Sequence, residues 1–519
     1  MKGVNDMNND YQAIVIGAGN GGLMTAATLA KQGIKTLMID KHNIPGGSAS
    51  SIHRGRFEFE PSLHELSNVG YDANDPNCFV RGLFAQLGAD VDWCVEHTEL
   101  YHLVIPEEGI DFSLSSNPEK LIMDLEKEAP GSAGPMMQML QLGQEAAAAY
   151  AYISSKDFDP DKLDELYPHA KTMAGHSIKE VLTAIGMPER AQAIVSQYWC
   201  YLGATATEMD ALTYFRMFVS YLAFGAGMPR LRSHELSLAL EKVVRDNGGE
   251  VWYNTPADKI LVKDGKAYGV RIGGKDYYAD NIICNAYPEF AYSYLIDKEE
   301  VPEKSVKLVN ARESAMNLFT VYLGMNKSDE ELGLKHYTNF IMKTSDTDEQ
   351  ARLSSMDRAN TSAVILNDLN KLVPDCTPEG TCFLFLTGFS FGHAWDSITP
   401  EEHQKEKERA AEVMIRRCEE ALGIEIMPYI EEIEIASPVT FARFLGTPNG
   451  TPYGYKMNKW DNYIQREVDR DADLKTIDKL DFVGAATRVG DGYSTTYLGG
   501  YETAIEISEA LKEKGEIQR

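Results

Sequence analysis

The order of apolar and polar positions divides the chain into stretches of different grammar. Near the amino end an apolar run at 13–16 is followed by glycines. Leu23, Ala26, Ala27 and Ala30 then recur at helical spacing, Gly33 interrupts, and a second apolar run fills 36–39. Short apolar runs bounded by turn residues predict buried strands, and the 3.6-residue spacing predicts a helix. Residues 11–40 therefore read strand, glycine turn, helix, strand. Residues from about 75 to 225 are predicted mostly helical, with 145–153 and 213–224 as the clearest apolar stripes.

Alternating α/β grammar returns at 234–300. A helix over about 235–247 stops at Gly248-Gly249, turns are marked by Asp264-Gly265 and Gly273-Gly274, and Ile282-Ile283-Cys284 closes at Asn285-Ala286-Tyr287-Pro288. Strand-like runs follow at 318–323, 362–366 and 382–387, and the tail at 481–512 reads strand, glycine loop, helix. No repeat or low-complexity linker is present. Pieces of one α/β domain are thus expected to be separated by insertions that form a second domain.

The strongest motif is Gly17-Ala18-Gly19-Asn20-Gly21-Gly22, a G-x-G-x-x-G between a buried strand and a helix. Gly17 permits the tight turn, Gly19 lets backbone approach a pyrophosphate, and Gly22 lets helix and strand pack closely. The helix N-terminus then offers free N–H groups and the positive end of its dipole to phosphates. Asp40 ends the second strand at the offset of a ribose-binding acid, and Lys41 follows it. FAD is favoured over NAD on three grounds. Pro45-Gly46-Gly47 supplies a second glycine loop, the chain holds one dinucleotide fingerprint only, and Gly484 to Gly492 places another glycine loop before a helix N-terminus expected near 497–502.

Composition narrows the classes. The 519 residues are 44% hydrophobic and 25% charged, as in an ordinary globular protein. A net charge of −28 disfavours nucleic acid and anionic lipid. Seven cysteines, none in Cys-x-x-Cys, predict a reduced chain with no metal site. The amino end has no apolar signal core, and the longest apolar stretch, 217–228, is too short to span a bilayer. A cytoplasmic location is expected, with peripheral membrane contact as an open alternative.

The chain resembles the phytoene desaturase, carotenoid isomerase and retinol saturase group within the amine-oxidase-like flavoproteins. Four blocks carry the resemblance: IVIGAGNGGL with MIDKHNIPGGSASS (14–51), FEFEPS (57–62), NGGEVWYNTPADKI with GKAYGV and ADNIICNAYP (247–288), and FVGAATRVGDGYSTTYLGGYETAIEI (482–507). The resemblance implies a Rossmann-type FAD-binding domain from about 1–75, 226–300 and 440–519, with 76–225 and 301–439 as a discontinuous mixed α+β substrate (cap) domain. It places Gly46, Gly47 and Ser48 at the pyrophosphate. Ala257 falls at the adenine, and Gly484, Asp491, Gly492 and Tyr493 beside the ribityl chain and isoalloxazine. Ala485 stands where related amine oxidases carry an acid, and Glu60-Pro61 replaces an Asp and its small neighbour.

The expected activity is FAD-dependent oxidoreduction or isomerisation at C–C/C=C bonds of an apolar polyene, isoprenoid, sterol or fatty acyl compound, with FAD held non-covalently. The alternatives are an amine oxidase-like flavoprotein and a flavin-binding module without turnover. His64, Glu65, Asp491 and Tyr493 are the acid–base candidates. Arg54 and Arg56 read as surface residues of a hairpin. The aromatic-rich 197–224 segment reads equally as the wall of a lipid tunnel or as plain aromatic core, with membrane docking through it as a further expectation. No electron partner or oligomeric state is written in these motifs.

Overall fold

The computed structural model describes residues 10–70, 78–96, 98–155, 157–359, 362–391, 393–468, 475–487, 490 and 492–517. Its first sheet is built on the runs read as buried strands. Glu250–Trp252, Thr36–Ile39, Tyr11–Ile16 and Lys275–Cys284 lie side by side in that order, all parallel. Leu480–Phe482 adds in parallel beyond Lys275–Cys284, with Ile282 opposite Leu480. Parallel strands are covered on both faces, which is why these runs are continuously apolar rather than alternating. The long strand Lys275–Cys284 also pairs antiparallel with Lys266–Ile272, which pairs with Lys259–Lys263. Both hairpin turns have two left-handed residues, Asp264 (φ 53°) with Gly265 (φ 75°) and Gly273 (φ 57°) with Gly274 (φ 77°). Those are the turns whose twist matches paired strands.

The helix Asn20–Lys31 crosses from the first strand to the second and packs between Ser233–Asp246 and Tyr493–Glu513. Its crossing with the last helix is close. A side chain at Gly500 would run into the Gly21 carbonyl, and the Thr25 hydroxyl lies 2.8 Å from Gly21 O and 3.0 Å from Gly500 O. The N-termini of two helices distant in sequence are thereby held together. The last helix begins at Tyr493, four residues before the expected start, because Gly492 (φ 87°) turns the chain there.

A second seven-stranded sheet runs Ile430–Ala436, Asn317–Met325, Cys382–Ser390, Ala363–Asp368, Thr338–Met342, Glu99–Ile105 and Ile110–Ser115. It is antiparallel except between Thr338–Met342 and Glu99–Ile105. Alternate residues serve opposite cores. Val321, Leu323, Leu384 and Leu386 pack with Met414 and Ile415 of the helix Pro400–Leu422, whereas Tyr322, Phe383 and Phe385 join the main core toward the first sheet.

Residues 75–225 are mostly helical, as expected, but strands interrupt them near the start. Trp93–Glu96, Glu99–Ile105 and Ile110–Ser115 are strands. Residues Leu100 to Ile105 are buried without interruption, so the sequence shows neither a period of 2 nor one of 3.6 there. The remainder is helical. Ala133–Ile153 and Ala211–Phe224 pack closely at Gly143, where a built Cβ would lie 2.8 Å from Phe215 O.

Candidate functional site

The carboxyl ends of the parallel strands converge on one cavity of about 430 Å³. Its floor is the turn from Ile16 to Asn20. The turn fits only because Asn285, at the end of the neighbouring strand, is built into it. Asn285 N–H donates to Ile16 O (2.8 Å), and its side-chain oxygen accepts the Gly22 N–H at 3.1 Å. A Cβ on Gly19 would lie 2.6 Å from Asn285 Nδ2, and one on Gly21 would lie 2.7 Å from Gly484 N and 2.9 Å from Asn285 Oδ1. Gly22 does not line the cavity. A Cβ there would penetrate the Gly17 carbonyl, so its role is the close packing of helix on strand. Glycines stand at the N-cap positions of Asn20–Lys31 and Tyr493–Glu513, and within the first turn of Asn20–Lys31 the Gly22 N–H is taken by Asn285.

The second glycine loop lies on the first. Gly46 N–H donates to Ala18 O at 2.7 Å, and Gly19 and Gly46 form an isolated bridge. Asp40 takes the Ala18 N–H on one carboxylate oxygen (2.6 Å) and the His42 N–H on the other (2.7 Å). It lines the cavity with Lys41, Gly47 and Ser48, while Ala257 stands on the wall beyond. At the other side stand Gly484, Gly492 and Tyr493. Asp491 lies outside the described residues.

A buried carboxyl ties these loops together. Glu60, fully buried, accepts from Ser62 N–H (3.0 Å), Leu63 N–H (2.8 Å), Ser233 N–H (2.8 Å) and the Ser233 hydroxyl (2.8 Å). Burial raises its pKa against those four donors. The Ser62 hydroxyl donates to Ser48 O (3.0 Å), so the Tyr493 phenol donates to Ser62 Oγ (2.9 Å). Burial and the nearby Glu60 push the Tyr493 phenol upward, so it keeps its proton at neutral pH.

His64 and Glu65 both reach the cavity. His64 Nε2 lies 2.9 Å from the Thr387 hydroxyl, and its ring meets Phe385 and Tyr201 edge-on. Burial lowers its pKa to about 3, so it is a neutral imidazole at physiological pH. Glu65 accepts from the Tyr198 phenol at 3.2 Å. The consequence for His64 is measurable. Below pH 6.5 the unfolded chain takes up a proton that the folded chain excludes until about pH 3. Stability is therefore lost as pH falls through that window, by about 1.4 kcal/mol per unit. His64→Gln should lack this component. At pH 4.5 the variant should recover about 2–3 kcal/mol relative to wild type, compared with their difference at pH 7. Chemical denaturation at the two pH values checks this, and an unchanged difference would show His64 charged in the fold.

Arg54 and Arg56 lie where the sequence puts them, at the surface of a hairpin, and pair with Glu434 and Glu431, each at 2.6 Å. His42 stacks on Phe444 at 4.4 Å, and His53 is an exposed hairpin residue. The docking role given to 197–224 is overturned, because Tyr198, Trp199, Tyr214, Phe215 and Phe218 are completely buried. Their phenols and rings form core, and only Tyr201, Leu202, Arg216, Met217, Ser220 and Tyr221 of this segment meet the cavity. No described helix is long and apolar enough to cross a membrane. All seven cysteines are free thiols. Sequence reasoning missed Asn285 and Arg216. Asn285 directly follows the apolar run that ends the neighbouring strand, which was a usable signal, whereas Arg216 sits in a run indistinguishable from core.

Apposed glycine turns at the carboxyl ends of parallel strands, with an acid after the second strand, define a dinucleotide-binding protein of Rossmann type. A family model described as an NAD(P)-binding Rossmann-like domain matches residues 15–76. The chain is 25% identical over 471 residues to a chloroplastic prolycopene isomerase of Daucus carota, covering 86% of this chain and 72% of that one. It is 23% identical to an all-trans-retinol 13,14-reductase of Danio rerio (86% and 77% covered) and 23% identical to a neurosporene-forming phytoene desaturase of Rhodobacter capsulatus (96% and 94%). Among solved structures, a putrescine oxidase variant shares the fold with a TM-score of 0.65 at 14% identity, covering 96% of this chain and 99% of that one. The similarity thus spans the chain from its first glycine turn into its last, as the four sequence blocks imply.

Proposed function

We propose that this protein is an FAD-dependent oxidoreductase or isomerase acting on C–C/C=C bonds of an apolar polyene, isoprenoid, sterol or fatty acyl substrate. One observation carries the reading: a single cavity joins the glycine cradle to a chamber walled by Leu63, Leu66, Leu202, Met217, Tyr221 and Leu318. The cradle fits a dinucleotide. Gly19, Gly46 and Gly47 expose backbone to the cavity, two helix N-termini that begin at glycines face it, and Asp40 keeps lone pairs for ribose hydroxyls. Asn20, Lys41, Ser48, Ala257, Gly484, Gly492 and Tyr493 complete the contact set, and nothing in it calls for a covalent link. Asp491, in the glycine loop just before Gly492, remains assigned to this set on the sequence resemblance.

When bound, FAD supplies hydride acceptance and donation at N5. The protein's part is positioning and dryness. The first sheet and the helices around it bear the cofactor, and the second sheet with the segment from Ala133 to Phe224 forms the cap. Tyr493 holds a proton at its phenol beside the cavity. His64, neutral and held by Thr387, is suited to hydrogen-bond and orient a group in the cavity rather than to take up or donate a proton as a cation. Glu65 is the carboxyl base candidate on the same wall. The deciding experiment is anaerobic photoreduction of the purified yellow protein, followed by mixing with polyenes, isoprenoids and fatty acyl compounds. The expected result is reoxidation of the flavin, or isomerised product, with at least one of them. Oxygen consumption with an amine and release of peroxide would overturn the reading, as would a colourless protein that binds NAD.

A further inference from the structure

Among the described residues, one permanent cation lines the cavity without a carboxylate in ion-pair contact. Arg216, on the helix Ala211–Phe224, lines the cavity beside Met217, Ser220 and Tyr221. Its guanidinium carbon lies 3.8 Å from the centre of the Tyr150 ring. That ring is backed at 3.7 Å by Tyr463, so one face of the guanidinium is covered by stacked aromatics. Arg216 Nε is buried without a hydrogen-bond partner, and no described carboxylate lies within ion-pair distance of its terminal nitrogens. Asp210, which acts on it through space, caps the helix with one carboxylate oxygen, accepting Thr213 N–H at 2.9 Å, while its other oxygen is buried without a hydrogen-bond partner.

A partly buried guanidinium without a counter-ion is costly unless a ligand completes it, and its planar fork matches a carboxylate. The other described lysine or arginine on the cavity wall, Lys41, stands beside Asp40 at the glycine-loop end, where the dinucleotide phosphates would lie. Arg216 instead enters with Leu202, Met217 and Tyr221. A single cation here balances a single charge, which favours a carboxylate over a phosphate monoester.

We infer that Arg216 is a specificity-determining residue that anchors a terminal carboxylate of the substrate, so that the substrate is an apolar, unsaturated chain or polyene ending in an acid. This rests on the reading of the cavity as a flavin-dependent site for apolar compounds, and it narrows that reading.

The test uses the flavin-loaded protein and parinaric acid, a fluorescent conjugated tetraenoic acid, against its methyl ester. Wild type should bind the acid roughly tenfold to a hundredfold more tightly than the ester, the range of a charge-assisted hydrogen-bonded pair. Arg216→Gln should remove that preference by weakening the acid while leaving ester affinity and flavin content unchanged. Arg216→Lys should restore part of it. The unchanged ester affinity reports that the variant is folded. Equal binding of acid and ester by wild type would overturn this inference and leave the proposed function standing. So would an Arg216→Gln variant whose loss falls on flavin retention or on both probes alike. A prenyl monophosphate bound more tightly than the acid would overturn the carboxylate assignment. Flavin-loaded protein that binds neither probe and is reoxidised by no lipid would overturn both readings.

Discussion

Gly22→Ala is expected to yield a protein without flavin and with a markedly lowered thermal midpoint. The new Cβ would penetrate the Gly17 carbonyl and come within 3.2 Å of Asn285 Cβ. Neither atom can yield, since the first is backbone and the second is pinned by hydrogen bonds at both its backbone and its side chain. Relief requires the helix Asn20–Lys31 to lift from its strand, at a cost of about 3 kcal/mol, the upper range for overpacking. Lifting that helix also withdraws its N-terminus from the cavity. Gly33→Ala is the control. Gly33 has φ 78° but nothing within 4 Å of a built Cβ, so that change should cost only about 1 kcal/mol of backbone strain and leave flavin in place. Stoichiometric flavin and a wild-type melting curve for Gly22→Ala would show that the helix does not sit on the turn as described.

Glu60→Ala should be comparably severe. It would strand three N–H groups and one hydroxyl in the core, and each buried donor left without a partner costs about 1–3 kcal/mol. It should also loosen the contact of Ser62 with Ser48 and Tyr493, so flavin should dissociate faster. Glu60→Gln keeps the shape and part of the acceptor set, and should fall between. Its deficit should depend on pH. Burial raises the Glu60 pKa, so the folded wild type binds the proton more tightly than the unfolded chain does. Wild-type stability from this group is full below the ordinary carboxylate range and falls as pH rises toward the folded pKa. The deficit of Glu60→Gln should therefore be smaller at pH 8 than at pH 5. Denaturation at those two values checks the sign, and a larger deficit at pH 8 would mean that the four donors hold Glu60 ionised.

These two residues differ in how far the sequence discloses them. Gly22 is legible because a fingerprint between a strand and a helix has one physical solution. The apolar runs, the paired left-handed turns and the helix stop at Gly33 are legible for the same reason, since each depends on backbone sterics within a few residues. The fold class and most of the glycine cradle follow from such local constraints.

Glu60 belongs to the other kind. Its burial depends on Ser233, 173 residues away, and no local pattern states that the two meet. Asn285 acquires its meaning only where the end of its strand lies against the first glycine turn. The strand Glu99–Ile105 was hidden because both its faces are covered, which erases periodicity, whereas Ile110–Ser115 alternates apolar and polar residues and was legible. The aromatic segment from Gln197 to Phe224 has one composition whether it docks, packs or walls a cavity, and only the packing of the second sheet and the helix Ala133–Ile153 made most of it core. The sequence by itself determined the Rossmann elements and the cradle, because hydrophobic period and glycine dihedrals act within one element. Tertiary structure alone decided which polar groups are buried, what His64 can do with a proton and that Arg216 faces the cavity, because desolvation and pairing depend on neighbours that the chain order does not reveal.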